Sequence, residues 1–325
     1  MLNPLITICI PTYNGEQYLK ICIDSCIEQT FTDYEIIICD DGSSDKTIEI
    51  IESYNNSKIK LFKNTVNLGL VGNWNKCIEL SKGQWIKFVF QDDYISANCL
   101  QEFVNEIDER TNLIVSKRDF IIPNNSTKEF INYYTNEVRT LENTSNFKGK
   151  IYSPQLISKL AVQNICMNFI GEPSLIFFRK KCVEELGYFN SDLKQICDLE
   201  FVLKLACKYG LKYIPKKICS FRVHLNSTTS SNLNNKFFEM HYIEPLLFSY
   251  YLLYHTNFKI FRTYLNFFQL IKLKLYFKVK AYRAYKANIY EGHNYYLFND
   301  SNSKFKEITA NKTGNFFVKL VATLI

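Results

Sequence analysis

Short β-branched runs alternate with amphipathic stretches over the first hundred residues. Leu5 to Ile10 is one such run, ended by Pro11, and Tyr34 to Cys39 is another; between them, Gln17 to Gln29 repeats apolar residues at helical spacing. Asp45 opens a second helix running through Tyr54, and Ile59 to Phe62 reads as a third strand. A further helix ends near Gly83 and precedes a fourth strand, Trp85 to Phe90. This alternation predicts an α/β fold: a Rossmann-like, mostly parallel sheet with helices on both faces. Next come a helix over Ile95 to Glu109, a strand at Leu113 to Val115, and a polar stretch from Pro123 to Lys150 that lacks periodicity and reads as loop. Ser153 to Ser230 forms a second ordered block, and Phe237 to Tyr290 mixes apolar, aromatic and basic residues at roughly helical spacing.

Ligands of such sheets lie beyond the carboxyl ends of the strands. There the chain places Pro11-Thr12-Tyr13-Asn14, Asp40-Asp41-Gly42-Ser43 and Gln91-Asp92-Asp93, three polar loops converging on one edge. Gly42 permits a sharp turn that exposes the Asp41 carboxylate, an acceptor for a base N–H. The plainer role for Asp40, Ser43 and Asp45 is to cap the following helix. Asp92 and Asp93 repel one another unless a cation or a proton relieves them, and Mg²⁺ or Mn²⁺ needs only one or two carboxylates beside substrate phosphates. Helix capping is again the simple alternative.

Composition narrows the field. A chain of 325 residues that is 47% hydrophobic can bury a substantial core. The eleven cysteines are odd in number and contain no C-x-x-C, so they predict small reduced core residues; Cys22 and Cys26, at i and i+4, have no nearby histidine to make a zinc site. The net charge of +7 gathers in Lys259, Arg262, Lys272, Lys274, Lys278, Lys280, Arg283 and Lys286. That basic run carries no nucleic-acid-binding motif and gives no role to the aspartate loops. It predicts a helix packed on the body or on a partner chain, or else one lying on an anionic membrane. The chain shows no signal-peptide pattern and no apolar run able to span a bilayer, which predicts a cytoplasmic protein, peripheral on the inner face of the membrane if the basic segment docks there.

Joined in order, Ile8 to Asn14, Tyr18-Leu19, Gln29-Thr30, Glu35 to Thr47, Asn67-Leu68-Gly69, Gly83, Phe88 to Asp93, Asp198 and Arg222 to Ser227 resemble the family 2 glycosyltransferases of the GT-A fold. The resemblance covers Leu5 to Thr229, about two thirds of the chain. It implies a nucleotide-sugar-binding half over 1–110, an acceptor-binding half over 111–230 and a helical, basic, aromatic-rich segment over 231–325. It further implies inverting transfer of a hexosyl or N-acetylhexosaminyl group, most readily from a uridine diphosphate sugar, to a glycan or lipid-linked hydroxyl in bacterial surface polysaccharide synthesis. Pro11, Thr12, Tyr13 and Asp41 would then hold the base, Asp92 the ribose and phosphate region, and Asp93, with His224, a Mn²⁺ or Mg²⁺ ion. Arg222, His224 and Ser227 would close over the diphosphate, Asp198 would be the general base and Glu172 would face the acceptor. Without the resemblance, Asp198 reads as a helix cap or surface carboxylate and His224 as a loop histidine. The chain departs from the family pattern at Cys197, Leu199, Lys204 and Trp74, and its metal loop reads Phe-Gln-Asp-Asp without an earlier aspartate. These departures leave open a protein that binds nucleotide sugars without catalysis.

Overall fold

The computed structural model describes residues 3–145, 149–224 and 239–290. One nine-stranded sheet organises them. In chain order the strands are β1 (Ile6–Thr12), β2 (Tyr34–Asp40), β3 (Ile59–Lys63), β4 (Trp85–Phe88), β5 (Tyr94–Ile95), β6 (Leu113–Ile121), β7 (Ile151–Tyr152), β8 (Ile176–Arg179) and β9 (Leu211–Arg222). They lie in the order β3-β2-β1-β4-β8-β6-β9-β5, with β7 on β9. The first four are parallel; beyond them β8 runs antiparallel to β4 and β6, so the sheet becomes mixed where the second ordered block enters it.

Every residue of β1 and β2 is buried, as expected of strands covered on both faces. Edge strand β3 is half-exposed; its Lys60 pairs with Glu35 at 2.6 Å, a polar finish that protects an open edge. Pro11 does not end β1 but sits within it, opposite Cys39. The Cys9 carbonyl accepts from Val89 N and that of Thr12 from Asp41 N, so Pro11 faces the β4 side beyond the last paired residue, Phe88, where its missing N–H removes no ladder bond. Gly83 turns the chain into β4 against the backbone of Ile6 and Thr7, where a Cβ would come within 2.4 Å of Thr7 N.

The helices are α1 (Leu19–Ile27), α2 (Thr47–Glu52), α3 (Gly69–Leu80), α4 (Cys99–Asn105), α5 (Lys128–Asn132), α6 (Leu141–Thr144), α7 (Pro154–Gln163), α8 (Lys181–Leu186), α9 (Cys197–Tyr209), α10 (Glu244–Tyr254), α11 (Lys259–Thr263) and α12 (Phe267–Tyr290). Two expectations shorten or change. Ile95 belongs to a strand rather than a helix, because Tyr94 and Ile95 pair with Ser220 and Cys219. The polar stretch after Pro123 contains α5 and α6, each opened by a threonine that caps it, Thr127 and Thr140. All eleven cysteines are free and all but Cys166 are buried, the core role their number and spacing predict.

Candidate active site

The loop after β1 is fixed so that one aromatic ring projects. Gln91 grips Tyr13 at both ends of its peptide: its Oε1 accepts from Tyr13 N at 2.9 Å and its Nε2 donates to Tyr13 O at 3.1 Å. The Tyr13 side chain stays 51% exposed, free to meet a planar ligand. Thr12 is not so placed. It is buried, and its hydroxyl donates to Asp40 Oδ1 and Cys39 O, bracing the strand ends; Pro11 is likewise buried in the sheet.

Asp40 holds its own turn, accepting from Gly42 N at 3.1 Å and Ser43 N at 2.9 Å, with Gly42 in the left-handed region at φ 85°. Asp45 accepts from Thr47 N at the start of α2. Asp41 is buried rather than exposed as expected: it turns the other way, into the start of α3, where it accepts from Leu68 N at 2.7 Å, Gly69 N at 2.9 Å and Asn64 Nδ2 at 2.9 Å. A carboxylate offers about four acceptor positions, so three are used within the protein. Asn64 passes the connection to Asn73, which donates to Cys39 O at 2.9 Å, tying the ends of β2 and β3 to α3.

At the end of β4 the two adjacent aspartates part company. Asp93 is 2% exposed; its Oδ2 accepts from Ser174 Oγ at 2.5 Å and its Oδ1 from Arg222 N at 3.0 Å. Burial and the neighbouring Asp92 charge hold its carboxyl well above the ordinary range. Asp93, expected to carry the metal, has its oxygens pointing inward, where they brace β4 to β9. Asp92 instead keeps a quarter of its side chain exposed and places Oδ2 2.9 Å from His224 Nε2. Arg222 donates from Nε to Asp92 O at 3.0 Å and lays its guanidinium 4.4 Å from the centre of the Tyr18 ring, against which the His224 ring also packs at 5.4 Å. Asp92 and His224 are thus the oxygen and nitrogen donors that fit a divalent cation, few in number as suits an ion completed by phosphates. Among the described residues no group of three or more metal-ligating side chains forms. Ser227 lies outside the described residues.

Asp198 stands in the first turn of α9, half-buried. Its Oδ2 accepts from Asn168 Nδ2 at 2.8 Å and its Oδ1 from Leu199 N at 2.7 Å. Burial first, and then the charge of Glu172, push its carboxyl up to about 7, only partly countered by those hydrogen bonds and by the Arg118 charge. Glu172 is held by Arg118 Nε at 2.8 Å, and the same guanidinium donates to Arg139 O and Asn168 O. The Glu172 charge acts on Asp93 as well as on Asp198, and Ser174, two residues on, bonds Asp93 directly. The stretch from Asn168 to Ser174 therefore joins the cation end to the Asp198 end.

Several of these residues carried no signal in the sequence pattern. Asn168 and Ser174 lie in one short stretch and Arg118 comes from β6; only the fold brings that stretch to Arg118, Asp93 and Asp198. Buried Lys87 bonds the Ser174 and Phe88 carbonyls beneath the Asp92 loop. Glu244, at the start of α10, accepts from the backbone N–H groups of Lys194, Gln195 and Ile196, the three residues before α9. A glutamate beside Pro245 marks a helix start, which is the one trace of it in the sequence.

Comparison with known proteins follows the same lines. The family model described as Glycosyl transferase family 2 matches residues 7–165. An uncharacterized protein of Mycobacterium tuberculosis is 28% identical over 231 residues, covering 71% of this chain and 70% of that protein. The chondroitin synthase of Escherichia coli is 29% identical over 236 residues, 70% of this chain but 30% of the synthase, so the chain spans about a third of that relative. Among solved structures, S. aureus TarS 1-349 in complex with UDP-GlcNAc superposes with a TM-score of 0.61 at 20% identity, over 98% of this chain and 83% of that one. The mannosyltransferase PcManGT from Pyrobaculum calidifontis, in complex with GDP-Man and Mn²⁺, gives 0.54 at 15% identity over 99% and 85%. A parallel four-strand start with polar loops at its carboxyl edge, the family match over that region and the shared architecture of these structures lead to one assignment: residues 7–165 are a glycosyl transferase family 2 region, and the chain has the GT-A fold.

Proposed function

We propose that the protein transfers a hexosyl or N-acetylhexosaminyl group from a uridine diphosphate sugar to a hydroxyl of a glycan or lipid-linked acceptor, with inversion at the anomeric carbon, in the assembly of a surface polysaccharide. The supporting observation is Asp198, a carboxylate poised near neutrality, aimed by Asn168 and joined through the Asn168–Ser174 stretch to the Asp92–His224 end. A general base works best when its proton affinity lies near the working pH. Tyr13 and the remaining acceptor position of Asp41 take the base of the donor, while Arg222 and His224 face its diphosphate. A divalent cation held by Asp92 and His224 supplies positive charge against the leaving diphosphate when bound. Asp198 takes the proton from the acceptor hydroxyl as that oxygen bonds the anomeric carbon and the carbon–diphosphate bond breaks. Arg118 fixes Glu172 so that its charge raises the basicity of Asp198 from the acceptor side. Relatives named chondroitin synthase and the UDP-GlcNAc complex of TarS support a polysaccharide product and a uridine nucleotide.

The test is release of nucleoside diphosphate from a panel of nucleotide sugars with Mn²⁺ and candidate glycan acceptors. Acceptor-dependent release from a uridine diphosphate sugar is expected. Binding without turnover across the panel would favour the non-catalytic alternative.

A further inference from the structure

Helix α12 has two apolar faces and only one of them is covered by the described body. Leu273, Phe277 and Ala284 are buried, the helix packs on α10 and α7, and Tyr276 Oη donates to Cys166 Sγ at 3.4 Å. On the far side Phe268, Ile271, Leu275, Val279 and Tyr282 follow one another at steps of three and four, with Phe267 at the helix start. The two phenylalanines are 71% and 78% exposed and Leu275 54%. At 3.6 residues per turn, Lys274 flanks this stripe on one side, and Lys272 and Arg283 on the other. The 24 residues contain no aspartate or glutamate.

Folded monomers rarely expose a continuous apolar stripe of this extent. Its edges decide the occupant. A second copy of the same helix would set lysines against lysines, since a two-fold contact pairs each surface with itself. An anionic surface answers the cations on both sides at once. No helix among the described residues is long and apolar enough to cross a membrane, so α12 would lie along the surface rather than span it. We infer that α12 is an interfacial helix that docks the protein on an anionic phospholipid bilayer, its apolar stripe at the acyl boundary and its flanking cations at the phosphates. Cys166, against which Tyr276 packs, lies two residues before Asn168, the partner of Asp198. Docking through α12 thus holds the Asp198 end of the proposed site near the bilayer, suited to an acceptor carried on a lipid. Only that last step rests on the proposed glycosyl transfer.

The test is co-sedimentation of the full chain with vesicles of phosphatidylcholine, with or without phosphatidylglycerol, in the absence of donor and acceptor. Binding is expected only with phosphatidylglycerol. It should weaken about five-fold for each of Lys272→Gln and Lys274→Gln, and fall further with added salt. The exposed triple variant Ile271→Gln/Leu275→Gln/Val279→Gln should lose binding while melting like the wild type. Four results overturn the inference: no preference for the anionic vesicles; undiminished binding by the triple variant; a wild-type dimer that the triple variant dissociates; or vesicle binding that appears only when the chain is cut after residue 290, which would show its own terminal residues on the stripe. Vesicle binding without sugar transfer would leave the docking standing and remove the proposed function instead.

Discussion

At the scale of single residues, Asp198 sets two opposing pH dependences. Turnover requires its carboxylate, so the rate should climb as pH rises through about 7 and level off above it. Stability runs the other way. The folded form holds its proton up to about 7 whereas the unfolded chain releases it near the ordinary 3.8, so the fold binds the extra proton between those values and loses stability as pH rises through that window. Asp198→Asn should therefore cut turnover roughly 10² to 10⁴ fold, remove the pH limb, keep affinity for uridine diphosphate and raise the Tm by about 2 to 4 °C, the equivalent of ~1 kcal/mol. Rate profiles, calorimetric titration and thermal melts check the four parts, and normal turnover by the variant would falsify the base assignment. Asp92 and Asp93 separate similarly. Asp92→Asn should abolish the Mn²⁺ dependence of uridine diphosphate binding, whereas Asp93→Asn should chiefly lower the Tm, because its partners are Ser174 Oγ and Arg222 N. Two departures from the family pattern also turn out to touch: Trp74 stacks on Phe90, two residues before Asp92, with ring centres 4.7 Å apart. Trp74→Arg and Phe90→Asp should each destabilise, with the double variant better than their sum by at least ~0.5 kcal/mol in a denaturation cycle.

At the scale of elements, the order of strands and helices around the donor loops was legible because each follows a local rule: buried β-branched runs, helical spacing, a glycine where the chain must turn. Asp41, Asp92 and His224, the residues proposed for the donor end, stood out because they sit in or beside those strand ends. What the pattern could not show was which of two neighbouring carboxylates faces inward. That depends on Ser174 and on the backbone of Arg222, both far off in the chain. The first turn of α9 is a second case. Cys197 and Leu199 look like losses from a catalytic motif, yet both are buried, filling the core while Asp198 between them stays half-buried. The turn itself is pinned by Glu244 from α10, through three backbone N–H groups that no motif encodes. Glu244→Ala leaves those donors unpaired, at a cost of about 1 to 3 kcal/mol. It should lower kcat with the donor KM nearly unchanged, and Glu244→Gln should recover part of the loss; equal effects on kcat and KM would assign Glu244 to general stability alone.

At the scale of the whole molecule, one sheet runs through both regions proposed to bind substrate, and β4 meets β8 without a break between the sequence halves. Asp93 belongs to the first half, yet its two partners arrive 81 and 129 residues later. Synthesis proceeds from the N-terminus, so a nascent chain released only as far as residue 110 can pair β1 to β4 but has neither Ser174 nor Arg222 to anchor the loop after β4. The proposed donor site is therefore completed late in translation, after most of its own strands have already emerged. The same arrangement limits recombination: a chimera that joins residues 1–110 to the second half of another family member inherits a buried carboxylate whose stability is decided by the incoming sequence.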